Sequence, residues 1–202
     1  MKKTILKIMI LNVVLASSCW DVDHSSDFRL RDVDKQMIPY KLGKTVSFVD
    51  SLGQNFVLKV IKDSLSRWME SEDYYEFRQV YLQSEDSNVF ISLLVVAPST
   101  TVYNYNYIIL YINQFYFPLR YNYSKGQFYS DTDRSYIRQY IHDSLEINKK
   151  IFYDVVECIK TEATNKEESK EQERFPFRLL YNKMYGVLQL EDKEKTLFTI
   201  NN

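Results

Sequence analysis

Glycine and proline are scarce, with four of each in 202 residues. That scarcity excludes a low-complexity or linker-dominated chain. Only two histidines and two cysteines occur, too few and too scattered for a structural zinc site. The sequence contains no His-Glu-x-x-His, Cys-x-x-Cys, Gly-x-x-x-x-Gly-Lys, Gly-x-Ser-x-Gly or Gly-x-Gly-x-x-Gly. No cofactor or metal is therefore expected, and the chain reads as non-enzymatic. A basic excess is missing as well. Lys2, Lys3 and Lys7 are three of the 26 basic residues, and the remaining 23 face 27 acidic ones. A surface without net positive charge does not track a phosphate backbone, so nucleic acid is not expected as a partner.

What is abundant is aromatic: 17 Tyr and 12 Phe, with aromatics at 15% of the chain. Flat rings pack well on a pleated, half-buried surface, which favours strands. The length suits one domain with a sizeable core.

The N-terminus has a different grammar. Lys2, Lys3 and Lys7 form a positive start, and residues 8–16 form an apolar run interrupted by Asn12. A membrane-spanning helix needs about 20 apolar residues, so this run is too short for one and fits a signal peptide over residues 1–18. Leu15-Ala16-Ser17-Ser18-Cys19 resembles a bacterial lipobox. The resemblance implies cleavage before Cys19, lipid attachment at Cys19, and location at the cell envelope as an outer-membrane lipoprotein. Ala16-Ser17-Ser18 also fits an ordinary small-x-small cleavage site, which would give a secreted protein. In that case a Cys19–Cys158 disulfide is the alternative. With Cys19 lipidated, Cys158 stands alone in an apolar stretch and reads as a small buried hydrophobe. Asp21, Asp23 and Asp27 follow the cysteine, and residues 19–38 read as a polar tether.

From residue 39 the pattern is that of strands. Val46 and Phe48 alternate with polar neighbours, Asp50-Ser51-Leu52-Gly53 is a turn signal, and Phe56, Leu58 and Val60 alternate after it. This predicts a hairpin. Leu188, Leu190, Phe198 and Ile200 around Asp192-Lys193-Glu194-Lys195 predict a second. Tyr75, Phe77, Gln79 and Tyr81 alternate with Glu76, Arg78 and Val80. Residues 89–97 are apolar at nearly every position, which predicts a strand covered on both faces. Turns are expected at Asn113-Gln114 and near Asn148-Lys149. Residues 133–143 fit either one helical face or a strand, and residues 161–174 form a charged excursion. The whole predicts a mostly β domain over residues 39–202. Its expected form is an antiparallel meander of about nine strands closing into a barrel, half-barrel or sandwich, with at most one or two short helices.

Three segments carry a second resemblance: Pro39 to Phe48, Ser144 to Val156, and Leu180 to Asp192. Together they resemble small uncharacterised lipoproteins of Bacteroidota-type bacteria. The last, with Tyr185-Gly186-Val187-Leu188, is also similar to the closing hairpin of half-barrel carriers of the lipoprotein-carrier type.

Tyr103, Tyr105, Tyr107 and Tyr111 share one face of a strand at period two. They are the candidate binding face, either stacking on a glycan or lining an apolar pocket. The expected role is a membrane-anchored envelope protein that binds a hydrophobic or glycan ligand or an envelope partner. The alternatives are a structural or assembly subunit without a pocket, or a hydrolase whose site is hidden. His142 beside Asp143, Cys158, and carboxylate pairs such as Glu72-Asp73 and Glu85-Asp86 would have to supply that site.

Overall fold

A computed structural model describes residues 27–70, 73–86, 88–98, 105–113, 115–122, 127–129, 137–160, 178–192 and 196–201. Among these, thirteen strands and one short helix form a single, nearly closed, barrel-like sheet. The strands are β1 (Asp27–Phe28), β2 (Thr45–Asp50), β3 (Asn55–Glu70), β4 (Asp73–Ser84), β5 (Phe90–Val96), β6 (Tyr105–Ile112), β7 (Phe115–Asn122) and β8 (Gln127–Phe128). They continue with β9 (Ile137–Ile147), β10 (Lys150–Lys160), β11 (Arg178–Asn182), β12 (Gly186–Glu191) and β13 (Thr196–Ile200). The helix α1 covers Asp32–Lys35.

Two antiparallel meanders make the sheet. One runs from β2 to β8 and the other from β9 to β13. They join where β13 pairs antiparallel with β2 and brings Ile200 opposite Phe48. The two hairpins that share a sequence grammar thus lie side by side. Phe48, Phe56 and Phe198 meet there, with ring centroids 5.1 to 5.8 Å apart. Each such ring pair contributes about 0.5–1.5 kcal/mol beyond area burial.

The predicted turns form for local reasons. In the β2–β3 turn Asp50 Oδ1 accepts hydrogen bonds from the amides of Leu52 and Gln54, both 2.8 Å. Gly53 has φ +78°, a conformation that glycine takes at no steric cost. Asn148 and Lys149 both have positive φ (49° and 64°), matching the right-handed twist of the flanking strands. β5 lies between β4 and β6, and its Ile91, Leu93 and Val95 are wholly buried. Its apolar run is broken by Ser92, and its outward Phe90, Leu94 and Val96 are partly exposed. Pro118 sits on β7, whose far edge pairs only with the two residues of β8. There a missing N–H breaks no ladder.

Three expectations need correction. The strand count is thirteen among the described residues rather than about nine. β1 and β8 are too short to show a period, and β11 (Arg-Leu-Leu-Tyr-Asn) does not alternate. The ambiguity over residues 133–143 resolves to strand from residue 137, because β10 pairs with β9 along its length. Finally, residues 27–38, read as part of a tether, belong to the barrel. Their charge pattern is that of a linker, yet Leu30, Asp34, Met37 and Ile38 are buried. The charged excursion at 161–174 lies outside the described residues.

The segment 29–40 crosses the sheet from β4 to β11. The Glu76 carboxylate accepts the amide of Leu30 at 3.0 Å. Arg31 pairs with buried Asp34, whose carboxylate also takes the Arg31 amide at 3.0 Å. From β11, the Tyr181 hydroxyl donates to the Met37 carbonyl at 2.5 Å. The Val187 amide donates to the Tyr40 hydroxyl at 2.7 Å. Tyr40 lies against Gly186, which has φ +83°, and a Cβ there would come within 2.0 Å of the Tyr40 hydroxyl. Only glycine leaves room for that ring.

Candidate functional site

Large side chains from several strands are buried inside the barrel. Tyr121, Tyr181, Phe48 and Phe152 are among its largest wholly buried side chains. Phe128 on β8 meets Tyr121 on one side and Tyr181 on the other, at 6.3 and 6.1 Å. Rings from nearly opposite ends of the sheet order thus close over one another.

Clefts occur where segments meet the wall. One of about 540 Å3 opens between the 29–40 segment and the β3–β4 hairpin, lined by Ile38, Pro39, Leu65, Asp63 and Arg78. Its main cation is committed. Arg78 Nε donates to Asp63 at 2.9 Å, Nη1 donates to the carbonyls of Lys35 and Ile38, and Nη2 donates to the Tyr40 carbonyl and to Asp63. All five guanidinium N–H groups are used. The arginine therefore clamps the segment in place and has no donor left for a ligand. A smaller cleft of about 280 Å3 lies at the seam between β8 and β9, lined by Phe128, Ile141, Asp154, Val156 and Lys183.

The outer wall over β4 to β7 is unusual. Strand alternation sends Val80, Leu82, Leu93, Leu110 and Leu119 inward, all wholly buried. The intervening positions face outward and are rich in apolar and aromatic residues, with Gln79, Gln83, Ser92, Arg120 and Asn122 among them. On β4 the apolar ones are Phe77 and Tyr81, and on β5 they are Phe90, Leu94 and Val96. Ile109 and Tyr111 follow on β6, and Tyr116 and Pro118 on β7. Register places them side by side: Phe77 opposite Val96, Leu94 opposite Ile109, Ile109 opposite Pro118, Tyr111 opposite Tyr116. Most are partly exposed, and Tyr111 is 40% exposed. Ring pairs knit the surface, with Tyr81–Phe90 at 5.2 Å and Tyr111–Tyr116 at 5.4 Å. By contrast, β9 turns Arg138, His142, Ser144 and Glu146 away from buried Gln139 and Ile147.

Of the sequence-predicted face, Tyr111 lies in this wall. Tyr105 and Tyr107 sit on β6 at alternate positions with it, so the backbone places them on the same face. Tyr103 and Cys19 lie outside the described residues. The wall also contains residues the tyrosine row did not reveal, above all Tyr81, Phe90, Leu94 and Tyr116. The signal available for them was the alternation of β4 and the mostly apolar sequence of β5, broken by Ser92.

His142 does not pair with Asp143. Its Nε2 lies 2.6 Å from Glu157, which is also bonded by Arg178, and Arg178 reaches Glu191 at 3.2 Å. This is a cross-strand ion network over β9 to β12. Cys158 is buried and free, with the Gln139 amide oxygen 3.9 Å from its sulfur. Burial, aided by the Glu157 charge, pushes its thiol pKa well up, away from the thiolate a nucleophile needs. Asp86 serves its turn, accepting from Ser84 and Asn88, and these bonds hold its carboxyl below the usual range. No cluster of three or more His, Cys, Asp and Glu with metal-binding geometry occurs among the described residues.

Compared with protein-family models, curated proteins and solved structures, the chain matches none.

Proposed function

We propose that this chain is a non-enzymatic cell-envelope lipoprotein, anchored to the outer membrane through Cys19, that works by docking a protein partner on the β4–β7 wall. One observation carries the reading: the outer face of β4 to β7 brings Tyr81, Phe90, Leu94, Ile109, Tyr111 and Tyr116 side by side through strand register. A carrier of hydrophobic ligands keeps a cavity inside its barrel. Against a carrier reading, Phe48, Phe152, Tyr121 and Tyr181 are wholly buried among the described residues. A membrane-spanning barrel faces apolar groups to lipid around its full girth and keeps its lumen polar, the reverse of this interior. An exposed patch rich in apolar side chains supports an interaction surface. Partly exposed aromatic residues such as Tyr81, Phe90, Tyr111 and Tyr116 are of the type that anchors protein interfaces. The lipobox-like segment supports the membrane anchor.

The test is a photo-crosslinking residue placed at Tyr111 and, as a control, at Glu146 on β9. Adducts are identified by mass spectrometry in cells that produce the full chain. A single protein adduct from position 111, absent from position 146 and lost on Leu94→Asp, is the expected result. A glycan or lipid adduct at 111, or the same adducts from both positions, overturns the reading.

A further inference from the structure

The β3–β4 hairpin outgrows the sheet. β2 pairs with β3 only as far as Lys59, whereas β3 and β4 continue together to Glu70 and Asp73. β5 leaves β4 at Phe77, with Ala97 still bonded to Glu76, and beyond it, among the described residues, the two residues of β1 pair with that edge. Near the end of this ribbon two neighbouring rungs are both apolar: Trp68 opposite Tyr75, and Met69 opposite Tyr74. Successive residues of a strand point to opposite faces. The ribbon end therefore presents apolar groups on both faces, which a strand with one buried and one wet face does not do. Trp68 stacks on Phe77 at 4.8 Å, and Tyr75 stacks on Phe28 at 5.0 Å. On the opposite face Met69 is 64% exposed and Tyr74 41%. Arg29 and Arg67 flank the end, both within ion-pair distance of Asp27.

The chain enters the fold at this same place. β1 sets Asp27 against Tyr74 and Phe28 against Tyr75. Seven residues lie between Cys19 and Asp27, eight Cα-to-Cα steps, and a fully extended chain spans at most about 3.6 Å per step, so the leash is no longer than roughly 29 Å. A lipid on Cys19 would hold the ribbon end, and not the far side of the barrel, next to the bilayer. Trp, Tyr and flanking Arg are the side chains that settle at the boundary between headgroups and acyl chains.

We propose that the end of the β3–β4 ribbon, through Trp68, Met69, Tyr74 and Tyr75, seats in the interfacial layer of the same membrane that holds the Cys19 lipid. This rests on the lipid-anchor reading above. The two contacts together fix the barrel's orientation, and they leave the β4–β7 wall facing sideways, along the membrane plane, where a membrane-bound partner would meet it.

The experiment uses the lipidated full-length product carrying Trp20→Phe, which leaves Trp68 as the sole tryptophan. It is reconstituted into phosphatidylcholine vesicles with plain or brominated acyl chains. Intact mass is measured first, and an unmodified Cys19 overturns the anchor reading and this one with it. With the lipid present, Trp68 emission is expected to shift to the blue and to be quenched roughly twofold or more by the brominated chains, as for an interfacial indole. Met69→Asp, checked by circular dichroism for an unchanged fold, is expected to stay anchored but lose the quenching. Equal emission in plain and brominated vesicles from lipidated protein overturns this inference alone. The same holds if Trp68 is shielded only when a protein partner is added.

Discussion

Gln139 on β9 stands in for a missing strand opposite Arg120 on β7. Its side-chain amide accepts the Arg120 N–H and donates to the Arg120 carbonyl, both at 2.8 Å, and donates again to the Tyr129 carbonyl at 2.5 Å. One buried side chain thus copies the two-way pairing of a β ladder. It joins the two ends of the sheet order across a seam where no strand pairing occurs among the described residues.

Replacing Gln139 by Leu is therefore expected to open that seam. It removes one acceptor from the Arg120 amide and one donor from each of the Arg120 and Tyr129 carbonyls, while the Arg120 carbonyl keeps the Tyr129 amide at 3.1 Å. Unsatisfied buried groups cost about 1–3 kcal/mol each and do not add fully, so a loss of about 2–4 kcal/mol is expected in urea unfolding. Exchange of the Arg120 amide hydrogen should quicken ahead of the amides of β5. A loss under about 0.5 kcal/mol, with Arg120 exchange unchanged, would show that the seam is held by ring packing instead.

Arg78 is expected to be the most sensitive charged residue of the fold. Arg78→Met frees three carbonyls of the 29–40 segment and strands Asp63 in a partly buried site. Breaking one side of such a pair costs about 3–5 kcal/mol. Arg78→Lys should recover little, because an ammonium cannot reproduce a planar five-donor fork. The double variant Arg78→Met with Asp63→Leu should regain part of the loss, since it removes the stranded charge. Limited trypsin digestion reads the segment directly: cleavage after Lys35 or Lys41 should appear in Arg78→Met before the barrel unfolds. Resistance equal to the parent protein would rule out the clamp.

Stability is expected to fall on the alkaline side. Burial raises the pKa of Tyr40 well above the ordinary tyrosine value, against a smaller lowering by its bond from Val187. Burial likewise raises Tyr181, with Tyr40 adding to the rise and Arg78 opposing it. Cys158 is raised by burial and then by Glu157. In the unfolded chain these groups ionise near about 8.5 for the thiol and about 10 for tyrosine. Below about pH 8.5 both states keep the protons, and these groups leave stability flat. Above it the unfolded chain releases protons that the barrel retains, so stability declines with rising pH. Tyrosinate absorbance should show a late, cooperative step that coincides with loss of circular dichroism, and Cys158 should resist maleimide until that step. Smooth ionisation of every tyrosine near pH 10 with the fold intact would contradict the buried placement of Tyr40 and Tyr181.

How much of this was legible depends on range. The Asp50–Gly53 and Asn148–Lys149 turns were readable because a turn is decided within four residues by side chains that bond or tolerate their own backbone. The buried inward face of β5 was readable from its apolar run, but the cover expected over its other face is incomplete: Phe90, Leu94 and Val96 are partly exposed. The 27–38 segment was misread for the opposite reason. Asp32, Asp34 and Lys35 look solvated, yet Asp34 is buried against Arg31, and the amide of Leu30 depends on Glu76, 46 positions away. The tyrosine row pointed to one strand of the wall, while Tyr81 and Phe90 reach the same surface only through pairing of β4 with β5.

The sequence by itself determined the strand-dominated class, the hairpin turns and the lack of familiar catalytic motifs, because alternation, turn chemistry and composition are local properties of the chain. The tertiary structure alone decided that the two terminal hairpins pair, that Gln139 bridges the seam, that Arg78 grips residues 29–40, and that aromatic faces from four strands merge into one wall. Those outcomes depend on which groups share a neighbourhood, and a linear order of residues does not specify neighbourhoods until the sheet has curled and burial has chosen among the pairings available.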